Sequence, residues 1–180
     1  MKNLISALSV ILITCITTIS MGSPASKKSH HAHSHGVATL GLVLEDTLLS
    51  IEFTAPAHDL LGFENKPKND SQKSKVQLVR NQLAIFQNII LLPESAGCKM
   101  KKFDLSGEVF ERGMDSKEES HSDVQVNWQF QCAKTSELKK LSVEAFTHFK
   151  SIQKLSVTTV NNSKQGSYQL TAKNKVIAKL

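Results

Sequence analysis

From Val37 to Leu44, and again from Leu48 to Thr54, apolar and polar side chains alternate, with the polar triplet Glu45-Asp46-Thr47 between the two runs. A period of two is the pattern of a half-buried strand, so the pair predicts a β-hairpin that opens a sheet. Pro56 and Gly62 then predict a turn. Between Asp70 and Gln87 the period changes: Val76, Val79, Leu83 and Phe86 recur at three- and four-residue spacing. This predicts the main helix, with Asp70 or Ser71 as its cap. Beyond it, Lys99 to Phe110, Val124 to Cys132, Ser142 to Phe146, Leu155 to Val160 and Ser167 to Thr171 are strand-like, and the polar, acidic stretch from Gly113 to Asp123 is expected to be a loop. The resulting expectation is an α+β fold, an antiparallel β-sheet with one main helix, over a single domain spanning 37–180.

The first residues follow a different pattern. Met1-Lys2-Asn3 is followed by an apolar and hydroxylic run from Leu4 to Ile19, then by the small residues Ser20, Gly22, Ser23 and Ala25. That layout is a cleavable secretory signal peptide, 1–22 if cut after Gly22, with a cut after Ala25 as the alternative. A spanning helix needs roughly 20 apolar residues, and this run is shorter and broken by threonines, so no stable membrane insertion is expected after cleavage. Cys15 raises a lipid-anchor alternative, which the Leu12-Ile13-Thr14 preceding it disfavours. Residues 23–36 are small, basic and rich in histidine, without an apolar face to offset ordering entropy, and are expected to form a disordered arm. The chain is thus expected in the periplasm.

The 22 basic and 16 acidic residues give a net charge of +6. The lysines are scattered and no arginine stripe with interleaved aromatics appears, so nucleic acid is not an expected partner. Downstream of the leader only Cys98 and Cys132 remain. An even pair in an exported chain predicts one disulfide; thiolate ligation of a metal is the competing reading, without a Cys-x-x-Cys pair to support it.

Histidine is the residue type that carries candidate chemistry. His30, His31, His33 and His35 lie in the arm, His58 in the turn after the hairpin, and His121 in the acidic loop. His31, His33 and His35 alternate, so on an extended chain their imidazoles point the same way and can share one ion. Imidazole suits zinc, copper and nickel alike, so spacing supports metal binding without selecting the metal. His58 beside Asp59, and His121 near Glu119 and Asp123, repeat the chemistry with a carboxylate at hand. His148, between Phe146 and Phe149, is expected to be a packed core histidine. No His-Glu-x-x-His, Gly-x-Ser-x-Gly or phosphate-cradling glycine loop occurs, so no enzyme activity is expected.

The segments His33-Ser34-His35-Gly36-Val37-Ala38-Thr39-Leu40 and Ala55-Pro56-Ala57-His58-Asp59-Leu60-Leu61-Gly62-Phe63-Glu64 resemble the ZrgA-type zinc-regulated periplasmic proteins. The likeness continues through Leu92-Pro93, Ala96-Gly97-Cys98, Trp128 to Cys132, and Phe146 to Leu170. It implies zinc (Zn2+) as the metal and a role as an accessory zinc binder that assists an ABC-type zinc importer or its solute-binding protein. A metal-independent envelope interaction module is the alternative. The chain departs from the family pattern at Asn65, where a histidine is frequent, at Lys150, where a proline is customary, and in a loop that keeps only His121. Those departures shift the ligand burden onto the arm, His58 and His121.

Overall fold

The computed structural model describes residues 34–110 and 122–180, and Lys179 there by its backbone alone. The segment expected to be a signal peptide, His30, His31 and His33 of the expected arm, and His121 lie outside the described residues.

Val37–Glu45 (β1) and Leu48–Pro56 (β2) form the expected hairpin, closed by Asp46 and Thr47, with Asp46 in the left-handed region (φ 52°). Aspartate tolerates that conformation better than most residues. In place of the expected turn, the chain enters a short helix, Ala57–Leu61 (α1). Next come the main helix Asp70–Ala84 (α2), the short strand Ile90–Leu91 (β3), and Cys98–Ser106 (β4). Asp123–Cys132 (β5), Lys139–Val143 (β6), Ala145–His148 (α3), Lys154–Asn161 (β7), Gln165–Leu170 (β8) and Val176–Lys179 (β9) complete the described elements. The described residues are mostly β-sheet with a few helices.

Among the described residues two sheets are present where one was expected: a six-stranded sheet in the order β4-β5-β2-β1-β7-β8 and a three-stranded sheet β3-β6-β9. The larger is also not wholly antiparallel, because β1 and β7 run parallel, from Val37 opposite Lys154 to Leu44 opposite Asn161. Alternation shows which face of a strand is buried and carries no information on its direction, and β1 and β7 are over a hundred residues apart. A parallel pair needs a long crossover, here supplied by everything between β2 and α3.

One face of the large sheet is continuous and apolar. Register places Leu40 opposite Phe53, Ile51 opposite Trp128 and Leu49 opposite Phe130, all buried. Val79 and Leu83 of α2 and Leu141, Val143 and Ile177 of the small sheet belong to the same core. The opposite face of β5 presents Gln125, Asn127, Gln129 and Gln131, the alternation that made the strand legible.

Helix α2 starts one residue earlier than expected in its capping: Asn69, in an extended conformation, accepts the N–H of Gln72 at 2.9 Å. The helix also ends sooner, because Ile85 turns extended, and Phe86–Asn88 forms a separate 3₁₀ turn. Phe86 still reaches the core, packing edge-on to Phe130 with centroids 4.8 Å apart. His148 corrects the expectation of a packed core histidine. Phe146 in α3 and Phe149 just after it are buried and His148 is exposed, since at 100° per residue it lies away from the side on which Phe146 packs.

Candidate metal centre

Strand β2 runs straight into α1 through Pro56, whose φ of −55° suits both elements. The first helical N–H, that of Ala57, donates to the carbonyl of Ser122 at 2.9 Å, and Gly62 ends the helix in the left-handed region (φ 86°) with its N–H on the carbonyl of His58. This single turn sends consecutive side chains to opposite surroundings. His58 is half exposed (49%), whereas Asp59 is 3% exposed.

What holds Asp59 inward comes from the other end of the sequence motif. Gly36 donates its N–H to Asp59 Oδ2 at 2.6 Å, and its carbonyl accepts the N–H groups of Gln153 and Lys154 at 2.8 and 2.9 Å. Its φ is +79°, and a Cβ there would meet the Gln153 side chain at 3.3 Å, so both conformation and space call for glycine. Gly36 is therefore a latch joining the start of β1, the start of β7 and α1, and the residue before it, His35, is placed over α1. His35 and Gly36, expected to end the arm, lie among the described residues packed on the domain.

The outcome is a cluster of His35, His58 and Asp59, one potential ligand atom from each lying within 4.8 Å of the others. Both Nδ1 atoms face the same carboxylate oxygen: His58 Nδ1 lies 3.7 Å and His35 Nδ1 4.0 Å from Asp59 Oδ1. The two rings meet edge to face at 4.7 Å. On the far side of its ring, His35 Nε2 lies 3.8 Å from Glu64 Oε1. Two imidazoles and a carboxylate are a donor set that zinc accepts in sites that keep a fourth position for water or another ligand. The donor chemistry therefore fits a zinc ion.

Of the expected ligands, the structure brings together His35 and His58, twenty-three residues apart. Alternate spacing also pointed to His31, His33 and His35 as a set, and His30, His31, His33 and His121 are outside the described residues. Asp59 was visible as a neighbour of His58. Glu64 gave no separate signal beyond belonging to the Gly62-Phe63-Glu64 segment, because its approach to His35 depends on the course of the chain after α1. Cys98 and Cys132 sit opposite one another on β4 and β5 and are joined in a disulfide, which removes their thiolates from any ligand set.

No curated protein matches the chain at a significant level. The family model described as ZrgA family zinc uptake protein matches residues 32–178, a span that contains the cluster, the latch and both sheets. This chain belongs to the ZrgA family of zinc uptake proteins.

Proposed function

We propose that the protein is an exported, non-enzymatic zinc-binding accessory that captures the ion at His35, His58 and Asp59 and makes it available to an ABC-type zinc importer. Zinc here is cargo. The observation that carries the reading is the convergence of His35 with His58 and Asp59 in a chain whose family is one of zinc uptake. A buried carboxylate flanked by two half-exposed imidazoles suits reversible capture: one ligand is fixed by the fold and two are open to solvent. The preceding arm histidines His30, His31 and His33, with His121, extend the ligand supply by residue type and spacing, and periplasmic export by the leader is part of the same proposal. Among the described residues no helix is long and apolar enough to cross a membrane.

The test is calorimetric titration of zinc into the leader-free protein and into His35→Ala and His58→Ala variants. Each variant is expected to lose more than the roughly 10–100-fold in affinity that disturbing an outer-shell partner costs. Parent-like binding in the double variant would move capture to the arm or elsewhere. In cells, deletion of the gene should slow growth under zinc chelation and leave zinc-replete growth unchanged; equal growth in both conditions would favour the envelope interaction module.

A further inference from the structure

An imidazole can present only one lone pair to a metal when neutral, and the group that holds the proton on the other nitrogen decides which. His35 is flanked on both sides. Its Nδ1 faces Asp59 Oδ1, on the side where His58 Nδ1 also points, and its Nε2 faces Glu64 Oε1 at 3.8 Å. Glu64 is therefore on the opposite edge of the ring from the convergent donors, and the three-ligand cluster forms without it.

The main chain around Glu64 is anchored to the same frame as the site. Its carbonyl accepts the hydroxyl of Ser122 at 3.1 Å, and the carbonyl of Ser122 in turn accepts the first N–H of α1. Ser122 is itself buried, and Phe63, adjacent to Glu64, packs against the core. The Glu64 side chain is only 19% exposed, so a charge-assisted hydrogen bond donated to it is screened less than one at the open surface. Closing 3.8 Å to a normal bond near 2.9 Å takes a shift of about 0.9 Å, within reach of a side chain more than half exposed at 57%.

From this arrangement we infer that Glu64 is a positioning residue for zinc capture: it accepts the Nε2–H of His35 and so fixes the tautomer that leaves the Nδ1 lone pair facing the ion. The inference rests on the proposed site and adds to it a carboxylate–histidine–metal relay in which Asp59 is the direct ligand and Glu64 acts through the ring. Such outer partners orient the imidazole and raise its basicity as a ligand. They also lower the ordering cost at the moment of binding, because the ring is already turned the right way.

The experiment combines a spectroscopic signature with an affinity cycle on the leader-free protein, using zinc itself as the probe. Long-range ¹H–¹⁵N correlation of the imidazoles in the zinc-loaded parent should show His35 protonated at Nε2 and metallated at Nδ1. Glu64→Ala should lower zinc affinity by roughly 10–100-fold, with Glu64→Gln, which can still accept a hydrogen bond, recovering part of the loss. In a His35→Ala background, Glu64→Ala should have no further effect on affinity, because the ring through which it acts is gone. His35 metallated at Nε2, or an undiminished effect of Glu64→Ala without His35, would overturn the assignment and make Glu64 a direct ligand or a general support of the fold. A parent that binds no zinc would refute the site itself; a parent that binds through His35 Nδ1 while Glu64→Ala binds equally well would refute only the role of Glu64.

Discussion

Asp59 uses its two oxygens for different tasks: Oδ2 accepts the N–H of Gly36, and Oδ1 faces the two imidazoles. Those tasks can be separated by substitution. Asp59→Asn keeps a carbonyl oxygen for Gly36 and removes the anionic ligand, so the metal-free variant should unfold within about 1 kcal/mol of the parent while zinc affinity collapses. Asp59→Ala leaves the Gly36 N–H buried without its acceptor and should lose roughly 1–3 kcal/mol as well as the metal. Denaturant unfolding in chelator, set beside zinc titration, distinguishes the two; an asparagine variant that binds zinc like the parent would take Asp59 out of the ligand set. Gly36→Ala should cost on the order of 1–2 kcal/mol from the left-handed backbone alone and weaken zinc binding by displacing His35. At this scale the sequence was informative where chemistry is local. His35 and His58 are recognisable as candidate ligands by type, and Asp59 by adjacency, but that His35 lies beside His58 follows from the Gly36 latch, which spacing does not encode. His148 shows the opposite failure: two aromatic neighbours suggested burial, and a single helical turn directed the histidine outward.

The elements divide in the same way between what a period reveals and what it does not. The strands were legible because one face of each is apolar, and α2 because its period is 3.6; Leu83, fully buried on that helix, should lose roughly 2–5 kcal/mol on truncation to alanine, whereas exposed Leu78 should lose little. Unfolding midpoints of the two variants check this, and equal losses would mean that α2 packs on a different face. Helix α1 was missed because it is only five residues long and bracketed by Pro56 and Gly62, which punctuate turns and also start and stop helices. The three-stranded sheet was mostly missed: β3 has two residues, too few for any period, Val176–Lys179 was not read as a strand, and the strand expected from Ser142 to Phe146 is β6 only as far as Val143, with Ala145–His148 helical. Its neighbourhood is held by Glu144, between β6 and α3, which pairs with Lys175 just before β9 at 2.8 Å and accepts hydroxyls of Ser142 and Thr147. The Lys175 hydrogen bond leads the causes that hold the Glu144 carboxyl below its ordinary range, against desolvation that raises it. A lowered folded pKa means stabilisation that is present above the unfolded carboxylate pKa and lost as pH falls through the folded one. Glu144→Gln should therefore be less stable than the parent at neutral pH by up to about 1 kcal/mol, with the difference shrinking in acid. Unfolding at pH 7 and below the carboxylate range tests it, and a difference independent of pH would assign the effect to packing.

Over the described residues, the long strand β5 keeps the stabilising crosslink and the candidate metal centre apart. Asp123 at one end of β5 is paired with Pro56, next to α1, and Cys132 at the other end is bonded to Cys98. Ten residues of strand at about 3.4 Å each separate the two ends by roughly 30 Å. An even pair of cysteines was enough to expect the bond, but its distance from the candidate metal centre is visible only in the fold. Closing a loop with a sequence separation of 34 removes denatured-chain entropy worth about 3–4 kcal/mol in the simple polymer estimate, with residual structure in the unfolded chain reducing it. Cys98→Ala/Cys132→Ala should thus unfold at clearly lower denaturant while binding zinc as the parent does. The two effects can be read in one experiment, because a ligand that binds only the folded state stabilises it by an amount set by its concentration relative to Kd, about 2.7 kcal/mol at a hundredfold excess. Thermal unfolding of parent and double variant, each with and without zinc, should give two parallel pairs of curves: loss of the crosslink lowers both midpoints of the variant, and the free energy contributed by zinc is the same in each protein. A zinc increment that disappears with the cysteines would place the metal under the control of the disulfide end of β5 and would contradict a centre built from His35, His58 and Asp59.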